Sequence, residues 1–231
     1  MLTISPSINP DIYLVAPGYR ALSIYVTGMS IQNLAVGKAA LNEACKAVLA
    51  GNPEYPEWAE AHISAWSEVF WEFGAKPKRT PCSADALRKR VLRDGTMPTL
   101  DPIVDLYNAV SLRYAVPVGG ENIDGYKGIP RLTFALGTEI FNTIKNGKSF
   151  TEYPVKGEII WCDDIGVTRR CWNWRQSIRT RLNVEVRNMW FILESLPQMP
   201  IERLHEAGRM LTDGLERMMP GLWFEVELIQ T

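Results

Sequence analysis

The chain lacks the residues and motifs on which most metalloproteins, hydrolases and nucleotide-binding enzymes depend. Its 231 residues include four cysteines and two histidines. None of the cysteines forms a C-x-x-C pair, which argues against a structural zinc site. The sequence also has no G-x-S-x-G, H-E-x-x-H or G-x-x-x-x-G-K pattern. We therefore expect no metal ion, no other cofactor and none of the usual nucleophile arrangements.

A strong charge excess and an apolar run of membrane-spanning length are missing too. Lys and Arg number 25 against 26 Asp and Glu, for a formal net charge of −1. Any nucleic-acid contact must therefore come from a local basic patch rather than from the overall field. The first residues show neither a basic lead nor an apolar stretch of signal length. We expect a cytoplasmic protein with reduced thiols and no membrane contact.

A local basic patch is present at residues 169–181, which combine five arginines with two tryptophans. Guanidinium groups bind phosphates in a bidentate manner, and indole faces stack on unpaired bases. The patch predicts an RNA-binding surface that consists of Arg169, Arg170, Arg175, Arg179 and Arg181. Between them, Trp172, Asn173 and Trp174 are candidates for substrate contact. The alternative is that both tryptophans anchor one face of a strand while the arginines are solvated on the other.

The first third of the chain predicts strands followed by helices. Residues 12–15 and 22–26 form strand-like runs around the turn Pro17-Gly18, and we expect them to pair. Residues 37–50 and 54–73 have helical patterns. A connector with two prolines at 75–81 predicts a boundary. It separates a strand–helix extension, residues 1–75, packed on the main domain, from the main domain itself, residues 76–231.

The main domain begins with helices and continues with strands. Helices are predicted from Ser83 to Gly95 and from Asp101-Pro102 to Pro117, because each has a capping residue and an apolar stripe. Strands follow at 132–136, 158–162, 165–168 and 189–193, with Asn146-Gly147 and Asp163-Asp164 as turns. A helix at 201–218 and a strand at 223–229 close the chain. This order predicts an α+β fold, with helices layered over one side of a mixed or antiparallel sheet.

Two polar features lie within otherwise apolar segments. Asn108 and Ser111 lie one turn apart on a predicted helix, beside the glycine-containing loop that includes Gly119. Glu194 ends the apolar run 189–193 and, in a strand, shares a face with Trp190. Burial there disfavours the charged carboxylate unless a partner such as an α-ammonium group compensates. The alternatives are that Asn108 is a helix-surface amide and that Glu194 is solvated or pairs with an arginine.

The segment Pro102-Ile-Val-Asp-Leu-Tyr-Asn-Ala-Val, with the following Gly119-Gly-Glu-Asn, resembles the B3/B4 editing domain of the phenylalanyl-tRNA synthetase β subunit, where the pattern is V-D-[IL]-T-N-Y-V. The similarity resumes at 158–163 and 188–194 and covers roughly residues 80–220. The run R-R-x-W-N-W-R-Q at 169–176 is typical of standalone members. The chain departs from the pattern where Tyr107 replaces a threonine and where Gly119 falls at about the position of a histidine.

The resemblance implies an α+β fold and hydrolysis of the ester in a mischarged tRNA. By position, Asn108 matches the pocket asparagine and Glu194 matches the glutamate that recognises the amino acid, so both are predicted to be catalytic. Tyr107, Ser111 and Gly119 are predicted to bind substrate, together with residues 172–174. The expected partners are tRNA with an aminoacylated 3′ end and its amino-acid moiety. The alternative is a noncatalytic protein that binds tRNA or an amino-acid-like small molecule. The oligomeric state stays open.

Overall fold

The computed structural model describes residues 5–51, 55–145 and 147–230, which form the α+β fold that the sequence predicts. The helices are α1 (Ile12–Val15), α2 (Ala35–Ala50), α3 (Ala59–Glu72), α4 (Ser83–Asp94), α5 (Pro102–Tyr114) and α6 (Ile201–Met218). The strands are β1 (Ser7–Ile8), β2 (Arg20–Thr27), β3 (Val118–Asn122), β4 (Arg131–Phe134), β5 (Phe141–Lys145), β6 (Lys148–Glu152), β7 (Ile159–Cys162), β8 (Val167–Arg170), β9 (Arg175–Gln176), β10 (Asn188–Ser195) and β11 (Trp223–Gln230). Asn146, from a predicted turn, lies outside the described residues.

An antiparallel sheet in the order β11-β2-β10-β3 separates two hydrophobic layers. Side chains alternate along β10, so Phe191 and Leu193 join the layer that also contains residues of α5 and α6. Trp190 and Ile192 belong to the opposite layer, which includes α3. This alternation places Glu194 on the side of Trp190, as the sequence predicts.

A second sheet, in the order β1-β4-β7-β8-β9, packs against the Trp190 face of the first. Its β1 and β4 are parallel and its other pairs are antiparallel, so the sheet is mixed. Between the sheets and α3 lies a cluster of fully buried indoles that belong to Trp66, Trp161, Trp172 and Trp190. Their rings meet edge to face, with centroids about 5 Å apart for Trp66–Trp172 and Trp161–Trp190. This aromatic core fixes the spacing of the two sheets.

The N-terminal residues contribute to the same core as the rest of the chain. Strand β2 lies between β10 and β11, so residues on both sides of the predicted division at 75/76 share one sheet. The prediction of a strand at residues 12–15 is wrong, because this segment is the helix α1. The side chain of Asn9 accepts from the Asp11 N–H, and the Ala16 N–H closes the turn on the Ile12 carbonyl. A four-residue apolar run cannot by itself distinguish these two outcomes.

The glycine-containing segment after α5 is a strand rather than a loop. Helix α5 begins as predicted, with the Asp101 side chain accepting from the Ile103 N–H at 2.9 Å and proline at its first position. It ends at Ala115, which adopts a left-handed conformation with φ 48°. The chain then enters β3, whose Gly119 and Gly120 pair with β10. Glycine carries little strand signal, and the missing side chains instead let another group approach closely.

A donor-lined cleft as the candidate functional site

A cleft of about 220 Å³ opens between α4, α5, β3 and the segment that joins β8 to β9. It brings together several of the predicted site residues from distant parts of the sequence. The predicted residues that line it are Tyr107, Asn108, Gly119, Arg169, Asn173, Trp174 and Arg175. The other lining residues are Ser83, Ala86, Leu87, Val118 and Gln176.

A tight turn at residues 171–174 divides the predicted tryptophan segment between the core and the cleft. Cys171 and Trp172 have φ values of 42° and 60°, a left-handed conformation that is uncommon outside glycine and that recurs at functional sites. The Trp172 N–H donates to the Ile159 carbonyl at 2.6 Å. The turn directs the Trp172 indole into the core, whereas Asn173 and Trp174 line the cleft. The prediction that Trp172 contacts substrate is therefore wrong.

Arg169 reaches from β8 to the glycine strand β3 and is only 3% exposed. Its Nε donates to Glu121 Oε1 at 3.1 Å, and its guanidinium carbon lies 5.8 Å from the ring centre of Trp190. A Cβ atom at Gly119 would overlap this guanidinium. Gly119 is thus required for the placement of Arg169. The Nη2 atom of Arg169 is buried and has no hydrogen-bond partner within the described residues.

Glu121, which the sequence analysis did not select, holds Arg169 in place. It is fully buried and accepts hydrogen bonds from Thr180 Oγ1 and from the Tyr126 hydroxyl in addition to Arg169. Burial raises the pKa of Glu121, and the charge of Arg169 opposes that rise. An acidic residue within a strand that starts Val118-Gly-Gly is the signal that could have identified it, because proteins rarely bury a carboxylate without a partner.

Further polar groups at the cleft have unused hydrogen-bonding capacity. Asn173 is 6% exposed, and its Oδ1 accepts from the Ser83 N–H at 3.3 Å, while its Nδ2 is buried without a partner. The Ser83 hydroxyl is also buried and unpartnered. Asn108 projects from α5 into the same space and is nearly buried. Buried polar groups in native proteins are nearly always satisfied, so these groups favour a ligand that supplies acceptors.

Glu194 does not line the cleft. It is fully buried in the aromatic core, where its Oε1 accepts from the Tyr19 hydroxyl at 2.9 Å, Trp161 Nε1 at 3.1 Å and Trp172 Nε1 at 2.7 Å. Burial raises its pKa, and the charge of Arg169 and these three donors oppose that rise. The sequence correctly placed it on a buried face, but its observed partners are core side chains rather than a ligand.

Ser111 is likewise absent from the cleft lining. Its hydroxyl donates to the Val116 carbonyl at 2.7 Å and is almost fully buried. This bond stabilises the end of α5 where Ala115 reverses the chain. Ser111 therefore does not reach the cleft, and the structure does not support its predicted contact with substrate.

Four of the five arginines in the predicted RNA-binding surface are in ion pairs with carboxylates that are buried or largely buried. The alternative with solvated arginines does not describe these four, because their charges are already compensated, and their role in RNA binding stays a prediction. The pairs are Arg169–Glu121, Arg170–Glu158, Arg175–Glu152 and Arg179–Asp163, with shortest distances of 3.1, 2.6, 3.3 and 2.7 Å. Arg181 is exposed. Its charge acts on Tyr107, so it lies on the cleft side of the molecule.

Metal-binding clusters and membrane-spanning helices are absent from the part of the chain that the structure describes. Across residues 5–51, 55–145 and 147–230, no group of three or more His, Cys, Asp and Glu side chains could hold a metal ion. Within the same ranges, each helix is too short or too polar to cross a bilayer.

The two layered sheets, the overlying helices and the donor-lined cleft define an α+β domain with one candidate site. The sequence model of the B3/4 domain matches residues 65–223, so the chain belongs to the B3/4 domain family. Among solved structures, it is similar to an N-terminal fragment of the phenylalanyl-tRNA synthetase beta-subunit from Pyrococcus horikoshii, with 11% identity and a TM-score of 0.48. The match covers 100% of this chain and 55% of that one, so this chain spans about half its length. No curated protein matches the chain.

Proposed function

We propose that this B3/4 protein binds the aminoacylated 3′ end of tRNA and hydrolyses the ester of a mischarged amino acid in the cleft. The observation that carries the proposal is that Arg169, Asn173 and Ser83, each with a buried unpartnered polar atom, line one cleft of a B3/4 domain together with Asn108. Donors fixed before the reaction stabilise the negative charge that develops on an ester carbonyl oxygen. Asn108 is the group we assign to that oxygen or to the attacking water.

The size of the cleft suits the aminoacyl group rather than the nucleoside. Its volume of about 220 Å³ is below the range of pockets that enclose drug-sized ligands. The terminal adenosine would then lie at the rim, where Trp174 and Tyr107 offer aromatic faces. No carboxylate, imidazole or thiol is among the described residues that line the cleft. A hydroxyl of the terminal ribose would therefore assist the proton transfer that accompanies the attack of water. This step needs a correctly positioned ribose but no protein base.

The tRNA backbone requires cations that are not already paired. Lys76, Lys78 and Arg79 are exposed on the segment that leads to the cleft residue Ser83, and Arg181 is exposed near Tyr107. Charge reversal within residues 76–79 is expected to weaken tRNA binding and to reduce its dependence on salt concentration. Charge reversal at the exposed Lys38, Arg209 and Arg217, which lie outside the cleft, is the matched control.

The missing protein base also favours a second function, namely noncatalytic binding of tRNA or of an amino-acid-like ligand. The two functions make different predictions for the purified protein. A panel of mischarged tRNAs would be incubated with the wild type and with Asn108→Ala. Hydrolysis that falls by about 10²-fold or more in the variant supports the deacylase, since one lost oxyanion donor has about that effect. Binding of tRNA without hydrolysis of any member supports the noncatalytic function.

Asn33→Ala provides a matched control for this experiment. Asn33 is an exposed amide near the start of α2 and is not part of the cleft. The control is expected to retain the wild-type hydrolysis rate. An equal loss in both variants would show that the effect at Asn108 is not local and would remove Asn108 from the mechanism.

A further inference from the structure

We propose that the cleft selects ligands that present a carboxylate. This group comes from one of two sources, which are the acidic side chain of an aminoacyl ester and a small free acid. The first source rests on the proposed function, whereas the second does not. The inference depends on Arg169, which the sequence analysis assigned to an outer RNA surface and which the structure places at the wall of the cleft.

The guanidinium of Arg169 is fixed but incompletely used. Glu121 accepts from its Nε, and both oxygens of Glu121 have further donors from Thr180 and Tyr126. Glu121 therefore positions the arginine from one end, and Nη2 stays unpartnered in a residue that is only 3% exposed. A buried guanidinium nitrogen without an acceptor is costly, and a carboxylate is the acceptor that matches it best.

Asn173 and Ser83 add two more unused groups on the same wall. The Asn173 amide is oriented by its Oδ1, which accepts from the Ser83 N–H. Its Nδ2 and the Ser83 hydroxyl are then left unpartnered and buried, in residues that line the cleft. Arg169 Nη2 is a third such donor, and we infer that one ligand group accepts from all three. A carboxylate has about four lone-pair sites and can accept all three.

The unused donors at the cleft, rather than a net positive charge, favour an anion, because Arg169 and Arg175 are each paired with a carboxylate. The charged side chains among its described lining residues are Arg169 and Arg175, and both are cations. An aliphatic or aromatic side chain in this position would cover the donors without satisfying them. A neutral amide isostere offers only one acceptor oxygen and brings an NH₂ group to the donors, so it is expected to bind at least about tenfold more weakly than the carboxylate.

Small esters test this selectivity without tRNA. The α-methyl esters of L-glutamate and L-aspartate retain a side-chain carboxylate, and the methyl esters of L-glutamine and L-asparagine are their neutral isosteres. Calorimetric titration of the wild type is expected to show binding of one acidic ester at least about tenfold tighter than its amide counterpart. Equal affinities within either pair, or no binding of all four at millimolar concentration, would overturn the proposal.

Asn173→Asp changes the relevant group with little disturbance to the fold. It keeps the oxygen that accepts from Ser83 and exchanges only the unpartnered donor for a second carboxylate oxygen. That oxygen would occupy the place of the ligand beside Arg169. We expect the acidic ester to bind at least about tenfold more weakly to this variant, with an unchanged or raised melting temperature.

Asn33→Asp is the control with the same chemical change at an exposed amide, whose Oδ1 accepts from Ala35. It is expected to bind the acidic ester as the wild type does. Unchanged binding in Asn173→Asp, or an equal loss in both variants, would overturn the assignment of the donors.

Two further measurements distinguish the sources of the carboxylate. Succinate and glutarate test the free acid, and tRNAs charged with aspartate or glutamate test the ester. Turnover of acidic aminoacyl-tRNA at least about tenfold faster than that of its amide counterpart supports the first source, whereas binding of the free diacids alone supports the second. Efficient hydrolysis of apolar aminoacyl-tRNA only would overturn this inference and leave the proposed deacylase intact.

Discussion

Replacement of Glu194 tests whether this residue holds the core together. In Glu194→Ala, the Tyr19 hydroxyl and the indole N–H groups of Trp161 and Trp172 lose their common acceptor in a site with no access to solvent. Each buried donor left without a partner costs roughly 1–3 kcal/mol. The removed carboxylate also had a desolvation cost, which offsets part of the loss. We therefore expect the free energy of unfolding to fall by at least about 3 kcal/mol.

Glu194→Gln is the matched variant, since it keeps one oxygen that can accept from the same three donors. Its new amide nitrogen would replace Oε2, which has no partner in the structure. We expect this substitution to lower the free energy of unfolding by about 1 kcal/mol or less, because the principal acceptor is retained. Both variants would be unfolded in urea and followed by tryptophan fluorescence and by circular dichroism.

The comparison also separates a structural role from a ligand-binding one. If Glu194 anchors the indoles, Glu194→Gln keeps both stability and the affinity for small esters. A loss of less than about 0.5 kcal/mol in Glu194→Ala, as for an ordinary surface substitution, would refute the anchoring role. Loss of ester binding in a stable Glu194→Gln protein would restore the sequence-based role as a ligand-recognising group.

Two other predictions concern groups that position the core and the cleft. His62 is buried, with Nδ1 donating to the Ala115 carbonyl and Nε2 accepting from the Leu196 N–H, and burial lowers its pKa from 6.5 to about 4. The unfolded chain then binds more protons between these pH values. Stability should fall by about 3 kcal/mol as pH falls from 6.5 to 4, and His62→Gln should lack this component in urea titrations. Gly119→Ala should lower the free energy of unfolding by about 1–3 kcal/mol, because the methyl group displaces Arg169. A decrease of less than about 0.5 kcal/mol would contradict that contact.

The periodic and capping signals predicted most elements of the fold. Asp101-Pro102 fixed the start of α5, and the three-four pattern of residues 201–218 predicted α6. Alternation along β10 placed Glu194 beside Trp190 on a buried face. These signals are local, since each depends on residues within one or two turns or on neighbouring positions in a strand.

The candidate site depended on contacts that no local pattern contains. Arg169 and Glu121 are 48 residues apart, and only the packing of β8 on β3 makes them partners. The left-handed turn at Cys171 and Trp172 determines which indole enters the core and which residues reach the cleft. The sequence does not reveal this turn. A segment rich in arginine and tryptophan therefore has the composition of an RNA-binding surface, although ion pairs within the protein compensate most of its charges.

The charge balance around Arg169 leads to a final prediction, on the pH dependence of ligand binding. Burial raises the pKa values of both Glu121 and Glu194, and the charge of Arg169 opposes both rises. A ligand carboxylate at Nη2 adds a negative charge beside this arginine. The arginine then stabilises the charged forms of the two buried carboxylates less. Their pKa values rise further in the complex, and binding takes up a proton in the pH range above the ordinary value of 4.5. Affinity for the acidic ester should therefore decrease as pH rises. Calorimetry in buffers of different ionisation enthalpy measures the uptake directly, and pH-independent affinity without uptake would mean that the ligand does not reach Arg169.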